Sequence, residues 1–204
     1  MAILVSEAGL ERAIRVRRHA RGIDGHDEVW DGVYFVPPLA DNDHQDIVGG
    51  LTTVLQILVA FPKLGRVQPG ANVSDRADDW RKNYRVPDVL VFLDGNPALD
   101  KSSHWLGGPD LAVEVVSRGD RSRGKLDFYA RCRVRELLCV DRVPRGLELY
   151  RNVDSTMVSV GRSTPDGPES LRSEVVPLSF RLVPGVDRPT IQVSPLDGGP
   201  ARLI

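Results

Sequence analysis

Sulfur, aromatic rings and surplus charge are all scarce in this chain. Its 204 residues include only two cysteines, Cys132 and Cys139, which are too few for the usual zinc site, and no disulfide framework is expected. Aromatic residues make up 6% of the chain and are not interleaved with the basic ones, which argues against a stacking platform for single-stranded nucleic acid. The formal net charge is −1, so no overall basic field would hold the protein on a polyanion or an anionic membrane, and any polyanion partner must meet a local patch. The longer apolar runs, such as Leu55 to Phe61, stop far short of the ~20 residues that span a bilayer. The start, Met-Ala-Ile-Leu-Val-Ser-Glu, has no basic n-region and too short an apolar stretch for a secretory signal. Both absences predict a cytoplasmic protein with no membrane partner. No internal repeat is visible.

What is present is an ordinary globular composition, 41% hydrophobic and 27% charged, with one domain expected over residues 1–204. Residues 6–21 read as an arginine-rich helix, with Leu10 and Ile14 among Arg12, Arg15, Arg17 and Arg18 and with Gly22 as its stop. Glu28 to Val36 alternates loosely around Asp31-Gly32, the pattern of a hairpin or bulged strand ended by Pro37-Pro38. A helix capped by Asp41 or Asp43 follows, with Ile47, Val48, Leu51, Val54, Leu55 and Leu58 at helical spacing until Pro62. Strands are expected at Arg66–Val73, Val86–Leu93 and Leu111–Val116, then a helix from about Arg121 to Cys132. Further strands are expected at Glu136–Val140, Leu147–Arg151, Met157–Val160, Glu174–Val176 and Thr190–Val193, with a loose tail over 194–204. This order predicts an α+β or mixed α/β fold, a mixed sheet flanked by helices.

Two carboxylates break the apolar strand pattern: Asp88 in Val-Pro-Asp-Val-Leu-Val-Phe and Glu114 in Asp-Leu-Ala-Val-Glu-Val-Val-Ser, with Lys125 following on the next helix. A carboxylate inside an apolar run is costly to bury unless a cation or hydrogen bonds compensate it. Two of them with a lysine suggest a divalent cation, since magnesium is usually held by one or two carboxylates plus waters and substrate phosphate. In such a site the cation activates water at a phosphodiester, and Lys125 is the candidate to orient that water or offset the developing charge. Each residue also has a plainer role open to it: a strand-end carboxylate for Asp88, a partner for an arginine for Glu114, and a solvated helix lysine for Lys125. Residues 118 to 135 contain seven basic and two acidic side chains, a local charge of +5. This surplus makes Arg118, Arg121 and Arg123 candidates for tracking a nucleic-acid backbone.

The segments Tyr84-Arg85-Val86-Pro87-Asp88-Val89, Leu111-Ala112-Val113-Glu114-Val115-Val116-Ser117, Gly124-Lys125-Leu126-Asp127-Phe128-Tyr129-Ala130 and Val134-Arg135-Glu136-Leu137, with Val140-Asp141, together resemble the Uma-type family of putative restriction endonucleases. That family is DUF820-like and lies within the PD-(D/E)XK nuclease superfamily. Asp31-Gly32, Pro37-Pro38 and His44-Gln45-Asp46-Ile47 also match, so the resemblance runs from about Glu28 to Arg151. It implies a restriction-endonuclease-like fold, a magnesium-dependent site acting on DNA in which manganese can substitute, and a homodimer. Asp88 and Glu114 correspond to its metal ligands, Lys125 to its catalytic lysine, and His44 to a residue near the metal or the substrate phosphate. The superfamily's short form places lysine two residues after the acid, where this chain has Val116; the lysine has migrated to Lys125, as the Uma-type pattern also shows. The alternatives are an inactive copy of the fold that binds nucleic acid or a protein partner, and a structural or dimerisation module. A degenerate copy is expected to lose at least one of the three residues, and this chain keeps all of them.

Overall fold

The computed structural model describes residues 2–117 and 121–204. Its strands form three sheets. The first contains, in spatial order, β1 (Ile3–Val5), β3 (Val33–Val36), β2 (Glu28–Trp30), β6 (Tyr84–Arg85), β5 (Val73–Ser74), β9 (Trp105–Leu106) and β8 (Leu99–Asp100). The second runs β13 (Thr156–Ser163), β12 (Arg145–Val153), β11 (Glu136–Arg142), β10 (Leu111–Val116), β7 (Val89–Leu93) and β4 (Gly65–Pro69). The third is β14 (Leu171–Arg172), β15 (Leu178–Val183), β16 (Thr190–Pro195) and β17 (Arg202–Leu203). The helices are α1 (Ala8–His19), α2 (Asn42–Leu55) and α3 (Leu126–Arg131). None of them is long and apolar enough to cross a membrane.

The second sheet organises the core. Its inner pair, β10 and β11, is parallel, and a 3-10 turn (Ser122–Lys125) leading into α3 lies between them in the chain. The remaining pairs of that sheet are antiparallel. Alternation sends Val89, Val91, Val113 and Val115 to one face, against Leu51 and Leu55 of α2 and Phe180 and Val193 of the third sheet. Leu90, Phe92, Ala112 and Cys139 go to the other face, against Phe128 and Tyr129 of α3. Continuous apolar runs at β7 and β10 are what strands covered on both sides require. Both cysteines are buried and unpaired, and burial pushes their thiols well up.

Several expected boundaries move for identifiable reasons. The hairpin at Asp31-Gly32 forms with both residues at positive φ (48° and 87°), the backbone of a tight primed turn. The expected strand Arg66–Val73 is divided at Gly70 (φ +60°), so that β4 joins the second sheet and β5 the first. Val86–Leu93 is shortened to begin at Val89: β6 has already ended at Arg85, and Pro87 and Asp88 carry the chain from one sheet to the next. Residues 174–176 are not a strand; β14 and β15 flank them, and β15 buries Leu178, Phe180 and Leu182 by strict alternation. The chain end returns as β17, and Ile204 exchanges backbone hydrogen bonds with Ile191.

Candidate active site

Asp88 sits just before β7, where the β7–β10 register (Val89 opposite Val113) extends to place it across from Glu114. Its backbone is pinned on both sides: its N–H donates to the Val113 carbonyl (3.0 Å) and its own carbonyl accepts from Gly70 N–H (3.1 Å). Its carboxylate accepts from Val115 N–H through Oδ2 (2.7 Å), and Oδ1 lies 3.3 Å from His44 Nε2. His44 occupies the first turn of α2, where Asp41 is the N-cap and accepts from His44 N–H (3.0 Å). Burial pulls the His44 imidazole toward its neutral form, but the hydrogen bond and charge of Asp88 outweigh this and raise its pKa. Its Nδ1 is buried without a hydrogen-bond partner among the described residues.

Glu114 is 3% exposed and Lys125 5%. Lys125 Nζ donates to both Glu114 oxygens (2.9 and 3.1 Å) and to Glu28 Oε1 (2.8 Å). The lysine thus ties β10 of the second sheet to β2 of the first. Glu114 also accepts from the Tyr129 hydroxyl and from Ser122 Oγ (3.3 Å). Burial first, then the Glu114 charge, holds the Tyr129 phenol well above its ordinary pKa, so it stays a neutral donor. Glu28 is held in turn by Trp30 Nε1 (2.7 Å) and Val86 N–H (2.9 Å). Buried charges need this kind of pairing, because an unpaired carboxylate or ammonium in the interior carries a penalty of several kcal/mol.

Asp88, Glu114, Lys125 and His44 line one cavity of about 510 Å³, together with Glu28, Gln45, Arg18 and His26. Sequence reasoning missed Glu28. It lies 97 residues before Lys125 in a different sheet, and its only local signal is an acid opening a strand of alternating apolar residues. Tyr129 is a core residue whose hydroxyl donates to Glu114. Among the described residues no group of three or more His, Cys, Asp and Glu side chains could form a metal cage.

The basic run is largely committed elsewhere. Arg118 lies outside the described residues. Arg123, expected to face a phosphate backbone, is instead paired with both oxygens of Asp141 (2.8 Å each) and with Glu148 (2.8 Å). Those bonds raise its pKa and neutralise its charge internally. Arg131 pairs with Asp75 and Arg135 with Asp110. Arg121 remains exposed.

The family model described as "Putative restriction endonuclease" (Uma2) matches residues 18–184. No curated protein matches the chain. Among solved structures it is similar to a putative nuclease belonging to DUF820 from Anabaena variabilis, with 17% sequence identity and a TM-score of 0.55 over 72% of this chain and 80% of that one. At that identity the likeness shows the shared α+β, restriction-endonuclease-like fold. With the family match extending through most of the sequence, from the end of α1 to the end of β15, this chain belongs to the Uma2 family of putative restriction endonucleases.

Proposed function

We propose that this protein is a magnesium-dependent endonuclease that hydrolyses DNA phosphodiester bonds, with manganese able to replace magnesium. The observation that carries this reading is the convergence of Asp88, Glu114, Lys125 and His44 on one cavity. The donor set suits a hard cation: two carboxylates from adjoining strands and no thiolate, which is what magnesium uses when waters and substrate oxygens complete its shell. Asp88 and Glu114 would hold the ion. When bound, the cation would polarise the scissile phosphate and lower the pKa of an attacking water.

The remaining roles belong to the chain itself. Val115 N–H fixes Asp88 Oδ2, so the carboxylate is oriented before any ligand arrives. Lys125 brings a cation to the cavity and offsets negative charge developing on phosphate oxygens. Its three bonds to Glu28 and Glu114 set its position, and the Tyr129 hydroxyl holds Glu114, which makes Glu28 and Tyr129 positioning residues. His44 can hold a proton at Nε2 beside Asp88 and deliver one to a leaving oxygen. A supercoiled plasmid tests the reading: nicking should require magnesium or manganese, stop with chelator, and vanish in Asp88→Asn.

One observation favours a second reading, a binding protein without turnover. Both Glu114 oxygens already accept hydrogen bonds from Lys125, Tyr129 and Ser122, so that carboxylate is satisfied without a metal ion. Tight DNA binding with no nicking in either metal would select this alternative.

A further inference from the structure

α1 is an unusual helix for a folded domain because none of its residues is buried. Its inward side is only half-covered: Ile14 packs against the cluster of Val5, Val29 and Tyr34, Arg15 pairs with Glu11 and lies over the Tyr34 ring, and Arg18 grips Asp27. The two flanks of its solvent-facing side carry Arg12 and Arg17, with Arg21 in the turn that follows, all exposed. Among the described residues these three form no ion pair or side-chain hydrogen bond, in contrast to Arg123, Arg131 and Arg135. Residues 8–22 hold five arginines and one glutamate, a local charge of +4 in a chain whose net charge is −1. The same segment leads directly to the cavity, whose lining includes Arg18, Ile23, Gly25 and His26.

We propose that the outward face of α1 and its following turn track the phosphate backbone of duplex DNA beside the catalytic cavity, through Arg12, Arg17 and Arg21. The inference rests on the nuclease reading for the identity of the polyanion. The physical case is charge and placement. Arginines left without internal partners keep their full charge for phosphate, to which a guanidinium donates two parallel hydrogen bonds. Arg12 and Arg17 are about 7.5 Å apart along the helix axis, at 1.5 Å per residue, and about 140° apart around it, so they border the outward face on either side and reach separate phosphates. Leu10 and Val16 are also exposed on this side, at 50% and 64%, and would suit an interface between two copies. Charge decides against that occupant, because a twofold contact would set one +4 segment against another.

The test is the salt dependence of binding to a short fluorescein-labelled DNA duplex in chelator, so that no strand is cut. The full-length protein is compared with the triple variant Arg12→Ala, Arg17→Ala, Arg21→Ala and with its triple lysine counterpart. Each phosphate contact contributes about 0.9 to the slope of log K against log salt. The alanine variant should therefore lose about 2 to 3 from the slope and bind at least about tenfold more weakly at low salt, while the lysine variant keeps most of both. Because the three side chains are exposed, two on a helix with no buried residue and one in its following turn, thermal stability should stay unchanged. Equal slope and affinity in the alanine variant would overturn the proposal, and so would a wild-type protein with no duplex affinity at low salt. A shift from dimer to monomer in the alanine variant with no change in slope would also overturn it, assigning the face to a second copy. Magnesium-dependent plasmid nicking in the same preparations reads the nuclease assignment separately. Nicking with an unchanged slope removes only the role of α1, whereas arginine-dependent binding without nicking removes only the catalysis.

Discussion

Two glutamates lie on neighbouring strands of the central sheet, and both are buried, yet their surroundings differ. Glu136 opens β11, is 0% exposed, and is closed in by Arg151 Nε (3.0 Å), Ser173 Oγ (2.5 Å) and Glu174 N–H (3.0 Å). Glu114 on β10 is nearly as buried but borders a cavity, and its partners are a lysine, a phenol and a serine hydroxyl. In sequence the two look alike, each a carboxylate beside apolar strand residues. The difference is what each carboxylate can reach. Glu136 staples the third sheet to the second through Ser173 and Arg151, whereas Glu114 shares its space with Asp88, His44 and whatever enters the cavity. Burial of a charge marks a candidate site only where it coincides with open volume and a second oriented acid.

That contrast can be tested from its strongest consequence downward. Glu114→Gln should reduce magnesium-dependent plasmid nicking by at least about 10²-fold, the scale expected when an electrostatic component of a hydrolytic site is removed, with circular dichroism unchanged. Arg151→Met should do the reverse. It leaves Glu136 buried with one charge partner fewer and should destabilise the fold by about 3 kcal/mol in urea denaturation, with nicking per folded molecule retained. Tyr129→Phe should lie between these, costing about 1–3 kcal/mol for the lost bond to a buried carboxylate and lowering nicking only modestly.

The smallest effect concerns His104, which stacks on Trp80 (ring centroids 4.4 Å apart) and whose pKa burial and then Lys101 lower. A histidine with a depressed folded-state pKa binds protons more readily in the unfolded chain. The stability it supports is therefore fully present above the ordinary histidine pKa of about 6.5 and declines as pH falls below it. Denaturation midpoints on either side of that pH should converge slightly in His104→Gln.

The legible part of the molecule was the part with local contrast. Asp88 and Glu114 stood out because each interrupts an apolar run, and the α2 stripe from Ile47 to Leu55 matched its helix. Glu28 was invisible as a site residue because its partner Lys125 is 97 residues away and belongs to a different layer. The first sheet was hard to read for a related reason. β5, β6, β8 and β9 are two residues long, too short for any period to register. Charge misled in another way. The run from 118 to 135 counts as strongly basic, but Arg123, Arg131 and Arg135 have acidic partners on distant segments, whereas among the described residues Arg12 and Arg17 on α1 and Arg21 in the turn after it do not. Net charge can be counted along a chain, but its availability is settled by tertiary pairing.

The most direct measurement places Glu114→Gln and Glu136→Gln side by side with the wild-type protein in a plasmid-nicking assay with magnesium, each corrected for folded fraction. The account predicts nicking by the wild type and by Glu136→Gln, and none by Glu114→Gln. Equal nicking by both variants, or no nicking by the wild type with magnesium or manganese, would contradict it.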